Sequence, residues 1–212
     1  IGGTPAKRVA SFNGAAFAQM GAGIGNGTVN ALKAYTFDLE DPDNPPSPAP
    51  PGPIVDPPVR TQLFIGGSFN NAGGVAAADN LATFNDATIS AAGTFNIGGA
   101  FGAAVAPNGE VRALEVYTQP DDGSGATFDP KLYVGGNFTS QGGFFAFNFF
   151  EIPANYVEVI GGVTGGRINA MTVWDPADTG GDNSDPPVLV LGGAFTAPGT
   201  RVAFFDGGGF VN

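Results

Sequence analysis

Apolar positions along this chain fall into short β-branched and aromatic runs, each of which stops at a glycine pair and a phenylalanine. Three runs share one phrase: Gln62-Leu-Phe-Ile-Gly-Gly-Ser-Phe69, Lys131-Leu-Tyr-Val-Gly-Gly-Asn-Phe138 and Val188-Leu-Val-Leu-Gly-Gly-Ala-Phe195. Residues of this kind suit a pleated, covered surface, and glycine inside such a run marks a bulge or the close approach of another backbone. The phrase predicts three buried strands in which Gly66, Gly67, Gly135, Gly136, Gly192 and Gly193 are structural glycines.

Two further phrases repeat. Gly27-Thr-Val-Asn-Ala-Leu-Lys-Ala-Tyr35 returns as Gly109-Glu-Val-Arg-Ala-Leu-Glu-Val-Tyr117 and as Gly166-Arg-Ile-Asn-Ala-Met-Thr-Val-Trp174. Both faces of such a strand are largely apolar, so it belongs inside a stack of sheets that cover it on both sides. Arg8-Val-Ala-Ser-Phe-Asn-Gly-Ala-Ala-Phe17 is matched by Arg201-Val-Ala-Phe-Phe-Asp-Gly-Gly-Gly-Phe210, and Asn80 to Ile89 and Asn148 to Tyr156 are its middle versions. Apolar runs joined through Asn-Gly or Asp-Gly predict a hairpin.

Glycine-led strand, connection, Gly-Gly strand and hairpin make four strands per unit. The glycine pairs lie 69 and 57 residues apart, and four-stranded units at such a period are the signature of propeller blades. The reading is one all-β tandem-repeat domain over residues 1–212, with repeats at about 1–61, 62–130 and 131–187 and a partial fourth at 188–212.

Composition changes this picture only at the edges. Glycine (35) and proline (18) make about a quarter of the 212 residues, but 19 phenylalanines are spaced among them, so the glycines read as turn and bulge chemistry. Twelve of the 19 carboxylates sit in three connections, Asp38 to Val59, Gln119 to Pro130 and Asp175 to Pro187, where proline cannot supply ladder donors. These connections are expected to project from one rim as solvated loops.

The net charge of −11 with only eight Lys and Arg argues against a nucleic-acid partner. Histidine and cysteine are both absent, which removes imidazole and thiolate metal sites, Ser-His-Asp and Cys-His machinery, and disulfides. No apolar stretch approaches the roughly 18 to 20 residues of a helical membrane span. The chain opens inside a repeat, at Ile1-Gly2-Gly3, so the expectation is a segment of a longer array or a partial propeller completed by another copy.

The phrase Leu132-Tyr-Val-Gly-Gly-Asn-Phe-Thr139, the glycines Gly142 and Gly143, the aromatic-Asp-Gly hairpin and the Gly-x-Val-x-Ala-Leu strand together resemble the kelch-like bacterial propeller repeats. The match is closest in Leu132 to Gly143, with weaker equivalents over nearly the whole chain. This resemblance implies a kelch-like β-propeller, or part of one, built from about three four-stranded repeats. It also implies an exported or cell-surface protein, and it carries over no active-site residue.

Candidate chemistry is sparse. Asp175, Asp178, Asp182 and Asp185 supply the oxygen ligands and glycine flexibility that calcium accepts, against the alternative of a solvated loop. Glu110, Glu115, Glu151 and Glu158 sit in or beside strands, where a glycosidase would need a facing pair; the bland reading makes them exposed blade-edge charges. Gly21 to Gly27 lacks the strand, helix and lysine of a phosphate loop and reads as a strand connection. Phe144, Phe145 and Phe147 are candidate contact aromatics for a glycan or another subunit, against an inter-blade core.

The expected function is that of a non-enzymatic, exported structural or adhesive repeat protein. Its partners would be other copies or further repeats of the same protein, joined through apolar faces into a filament or layer. A carbohydrate-binding propeller module is the alternative, and a glycoside hydrolase or lyase the second.

Overall fold

The computed structural model describes residues 6–37, 60–76, 78–85, 88–91, 106–120, 128–142, 144–152, 160–176 and 186–211. The fold is all-β, with a 3-10 turn at Ala72–Gly74. The strands are β1 (Ala10–Phe12), β2 (Phe17–Gln19), β3 (Thr28–Phe37), β4 (Arg60–Ser68), β5 (Leu81–Asn85), β6 (Thr88–Ala91), β7 (Glu110–Tyr117), β8 (Lys131–Asn137), β9 (Ser140–Gln141), β10 (Phe144–Phe145), β11 (Phe149–Ile152), β12 (Ile168–Trp174), β13 (Val188–Gly193), β14 (Val202–Phe205) and β15 (Phe210–Val211). They form three main antiparallel sheets, β3-β4-β5-β6, β7-β8-β11 and β12-β13-β14-β15, with two small hairpins, β1-β2 and β9-β10.

Each main sheet opens with a glycine-led strand and pairs it with the Gly-Gly strand that follows. Sheets and repeats counted from the Gly-Gly phrase are thus out of phase, and the repeat boundaries near 61, 130 and 187 fall inside sheets. The second sheet has three strands among the described residues, and the stretch after Ile152, residues 153–159, lies outside them. No closed ring of sheets is present among the described residues.

The glycine pair does two separate jobs. In all three sheets the register slips by one residue on the glycine-led strand, between Val29 and Ala31, Val111 and Ala113, and Ile168 and Ala170. That bulge drives a carbonyl toward the facing strand, and the second glycine makes room for it. A Cβ on Gly67, Gly136 or Gly193 would strike the carbonyl oxygen of Thr28, Glu110 or Arg167. The first glycine faces outward to the next sheet. A Cβ on Gly66 would come within 2.5 Å of Val111 Cγ1, and one on Gly135 within 2.8 Å of Ile168 Cγ2.

The sheets stack in chain order, with β7 lying against β3 and β4 on one side and β12 on the other. Tyr35, Phe64 and Leu81 of the first sheet meet Val111, Leu114, Leu132, Val134, Phe150 and Ile152 of the second. Ala113, Tyr117, Tyr133 and Phe149 on its opposite face meet Ile168, Leu189, Leu191, Ala203 and Phe205 of the third. Side chains of this size each contribute about 1.5–3 kcal/mol when fully buried, so the two seams hold the stack together. In front of the first sheet lies the β1-β2 hairpin with its connection, where Val9, Met20 and Ile24 pack on Ile65, Phe69 and Ala82.

Tyrosine hydroxyls lock both seams. Tyr35 donates to the Pro130 carbonyl (2.7 Å) and Tyr117 to the Pro187 carbonyl (2.8 Å). Burial, followed by the charges of Asp129 and Glu151, raises the Tyr35 pKa. Tyr133 is raised by burial and then by Glu151. Burial and then Asp206 push Tyr117 up to about 12 from 10.0.

An unfolded chain loses these protons near pH 10, so the stability they contribute is full below pH 10 and declines as pH rises toward 12. We expect late phenolate absorbance from these residues, appearing together with loss of the β-sheet circular dichroism. Full phenolate absorbance at pH 10 with the sheet signal intact would contradict this.

Candidate functional site

Where two sheets meet, the same contacts recur, and this repeated seam is the best-defined recurring feature among the described residues. Its apolar centre is a glycine that admits two side chains of the next sheet. Gly66 lies under Val111 and Leu114, and Gly135 under Ile168 and Met171. Only a residue without a Cβ lets the strands come this close, which is why glycine sits in the middle of an otherwise bulky run.

Around that centre each seam has its own polar contacts. At the first, Lys33 pairs with Glu115, and Asn30 donates to Glu110 (2.9 Å) and to the Val111 carbonyl (3.0 Å). Arg112 in turn holds Glu110 at 2.7 Å. At the second, Arg112 reaches Asn169 at 3.4 Å, while within the second sheet Lys131 of β8 pairs at 2.6 Å with Glu151 of β11, whose side chain is fully buried. An ion pair of this kind is retained at a desolvation cost, and removing one partner would strand a buried charge.

A third component comes from four residues with positive φ at the head of the hairpin phrase: Arg8 (66°), Asn80 (60°), Asn148 (63°) and Arg201 (68°). Three of these side chains reach forward to the start of the next unit. Arg8 donates to the carbonyls of Ile24 and Gly27, and Asn80 to that of Pro107. Asn148 donates to Val163 (3.1 Å) and Gly166 (2.7 Å) while accepting the Phe138 N–H at 2.9 Å. Aligning the hairpin phrases places an Arg or Asn at each of these positions, but the left-handed backbone that aims them forward is not visible in residue type alone.

The face of the third sheet turned away from the second carries the same design, and none of the described residues packs over it as the next sheet does at the two seams. Above Gly192 the nearest atom to a built Cβ is the Ala170 carbonyl oxygen, at 4.0 Å. Trp174 takes the place of Tyr35 and Tyr117 and is 47% exposed. Beside it is a cleft of about 400 Å³ lined by Trp174, Pro176, Pro186, Val188, Phe204, Asp206 and Val211. The sequence gives no warning of this cleft, because it is made by strands that read like their covered counterparts.

The candidate residues divide as follows. Asp175 is exposed at the end of β12, and Asp178, Asp182 and Asp185 lie outside the described residues. Among the described residues no group of three or more acidic side chains comes together. Glu151, read from the sequence as an exposed edge charge, is instead fully buried, because its strand is covered on both faces. Glu110 and Glu115 are half-buried and engaged by Arg112 and Lys33, and Glu158 is outside the described residues. Gly21 to Gly27 forms the connection from β2 to β3, with Ile24 buried in it.

The phenylalanine cluster splits. Phe149 and Phe150 are core, whereas Phe145 is 77% exposed and stacks on Phe147 with ring centres 6.2 Å apart and planes 12° off parallel. Phe144 stands in β10, paired with Gln141. Among the described residues no helix is long and apolar enough to cross a membrane.

In comparisons with protein-family models, curated proteins and solved structures, no match to this chain was found.

Proposed function

We propose that this chain is a non-enzymatic building block of an exported or cell-surface assembly: a kelch-like, propeller-type run of blades whose role is structural or adhesive. The observation that carries this reading is the seam itself, built twice with a glycine under a Val or Ile and a Leu or Met of the next sheet, closed each time by a tyrosine hydroxyl. A surface made to stack on its own kind is the functional element of a repeat array. The described strand glutamates serve these seams through Lys33, Arg112 and Lys131, which gives them a structural role in place of an acid-base one. The acidic, proline-rich connections, most of which lie outside the described residues, are where calcium would bind.

The measurement that tests this is the mass and shape of the particle that carries the chain, isolated from cell-surface and medium fractions and viewed by light scattering and electron microscopy. Rings or fibres of many repeats are expected, and their loss on calcium chelation would place the ion in the acidic connections. A compact monomer confined to the cell interior would overturn the reading.

The exposed, parallel Phe145 and Phe147 rings favour a second reading, a carbohydrate-binding module, because an open aromatic pair offers a stacking surface for a sugar face. Glycan-array binding abolished by Phe145→Ala would support it.

A further inference from the structure

We propose that the open face of the β12-β13-β14-β15 sheet is the docking surface for one more sheet of this same repeat, seated so that a Val or Ile and a Leu or Met of its glycine-led strand lie over Gly192. This rests on the reading of the chain as a stacking module. Continuity with the two existing seams identifies the partner. What Gly66 receives from Val111 and Leu114, and Gly135 from Ile168 and Met171, Gly192 has room to receive from outside.

Two other positions point the same way. Trp174 presents an indole N–H where Tyr35 and Tyr117 present the hydroxyls that reach a carbonyl just before the next Gly-Gly strand. Arg201 has the same left-handed backbone as Arg8, Asn80 and Asn148, whose side chains donate forward to carbonyls of the next unit, and its own side chain is exposed. Val202, 49% exposed, is the counterpart of Val9 and Phe149, both buried under the unit that follows them. The partner therefore has a glycine-led loop with free carbonyls, a strand with a Val or Ile and a Leu or Met three residues apart, and a carbonyl ahead of its second strand.

A second copy of this chain does not meet that description as it stands. Its Leu32, 51% exposed, is the right counterpart for Gly192. However, its own β1-β2 hairpin already occupies the ground in front of its first sheet, with Val9 and Met20 packed on Ile65 and Phe69, where β14-β15 would have to lie. The partner is a further repeat.

The sequence supplies the reporter, since Trp174 is its single tryptophan. The test chain is the full chain with a copy of residues 160–211 joined after Asn212, carrying Trp174→Tyr in the copy only. We expect the emission of the original Trp174 to move to the blue and its quenching by acrylamide to fall several-fold. Gly192→Leu in the original part should leave the melting temperature of the unextended chain unchanged and return Trp174 in the extended chain to its quenchable state.

An appended repeat that stays unfolded overturns the proposal, and so does one that gains sheet signal while Trp174 remains quenchable. Protection of Trp174 in the unextended chain that grows with concentration overturns it in favour of a second copy. These outcomes concern the end face alone, so the role proposed above fails separately, on the mass and location of the native particle.

Discussion

Gly136→Ala is expected to destabilise the protein by about 3 kcal/mol or more, with Gly192→Ala close to neutral, although both glycines sit in the same phrase of equivalent strands. The Cβ added at Gly136 would collide with the Glu110 carbonyl and lie 3.0 Å from both Val111 Cα and Phe138 Cε1. Two of these neighbours are backbone held by the bulge, so relief requires the β7-β8 ladder to part. Gly135→Ala is the intermediate case. Its Cβ meets Ile168 Cγ2 at 2.8 Å and Met171 Sδ at 3.1 Å, and a methionine side chain has rotatable bonds with which to yield. A cost of about 1–3 kcal/mol follows. At Gly192 there is only the Ala170 oxygen at 4.0 Å, and the stiffer unfolded chain offsets whatever is lost, by about 0.4–1 kcal/mol. Urea denaturation of the three variants checks the order, and a Gly192→Ala chain as unstable as Gly135→Ala would show that the end face is not open.

Asn148→Ala is expected to cost about 3 kcal/mol or more, from two separable causes. Alanine in the left-handed region at φ 63° is strained by roughly 1–2 kcal/mol. The Phe138 N–H and the Val163 and Gly166 carbonyls lose their partner as well. A buried polar group left without a partner costs about 1–3 kcal/mol. Asn148→Gly removes only the second cause's partner and none of the backbone freedom, so it should recover part of the loss. Asn148→Asp keeps an acceptor for Phe138 but turns a carboxylate oxygen toward two carbonyls, and should be no better than alanine. Arg201→Ala, at a similar φ but with an exposed side chain, should cost almost nothing, because arginine already carries the strain that its Cβ imposes. Equal losses at 148 and 201 would mean that the forward hydrogen bonds contribute nothing.

Much of this organisation is legible in the residues. Glycine in the middle of Leu-Tyr-Val-Gly-Gly-Asn-Phe points to a bulge or a close approach, and both are found, one for each glycine of the pair. Apolar residues on both faces of Glu110–Tyr117 indicate a strand covered twice, and the sheet lies between two others. The same pattern in Ile168–Trp174 gives the opposite result on one face. Residue type records what a face is suited to meet, not whether anything meets it. Glu151 departs from the exposed edge its sequence suggests for a related reason: its partner Lys131 lies 20 residues away on a neighbouring strand, and strand register is what brings them together. Phe145 and Phe149 look alike in sequence, yet one belongs to a two-stranded hairpin and the other to a covered sheet. The acidic connection from Asp175 to Asp185 gives a composition but no fixed spacing, and only its first residue stands on a described strand end.

The different polar contacts of the two seams bear on how such a chain avoids misassembly. Its sheets have near-interchangeable oily faces, so hydrophobic contact alone would let them settle in the wrong sequence, or pair with a neighbouring molecule's equivalent, a common failure of tandem arrays. Lys33 with Glu115 across the first seam, and the Lys131–Glu151 pair carried within the second sheet, act as addresses on otherwise similar surfaces. A shuffled stack would bury Lys131 and Glu151 against a sheet whose strands carry a different set of charges. The equivalent positions in the third sheet, Val188 and Phe204, carry no charge and lie on its outward face. That blank label would accept any sheet of the right shape, which makes this face the least discriminating of the stack and the place where new modules are most easily gained or exchanged.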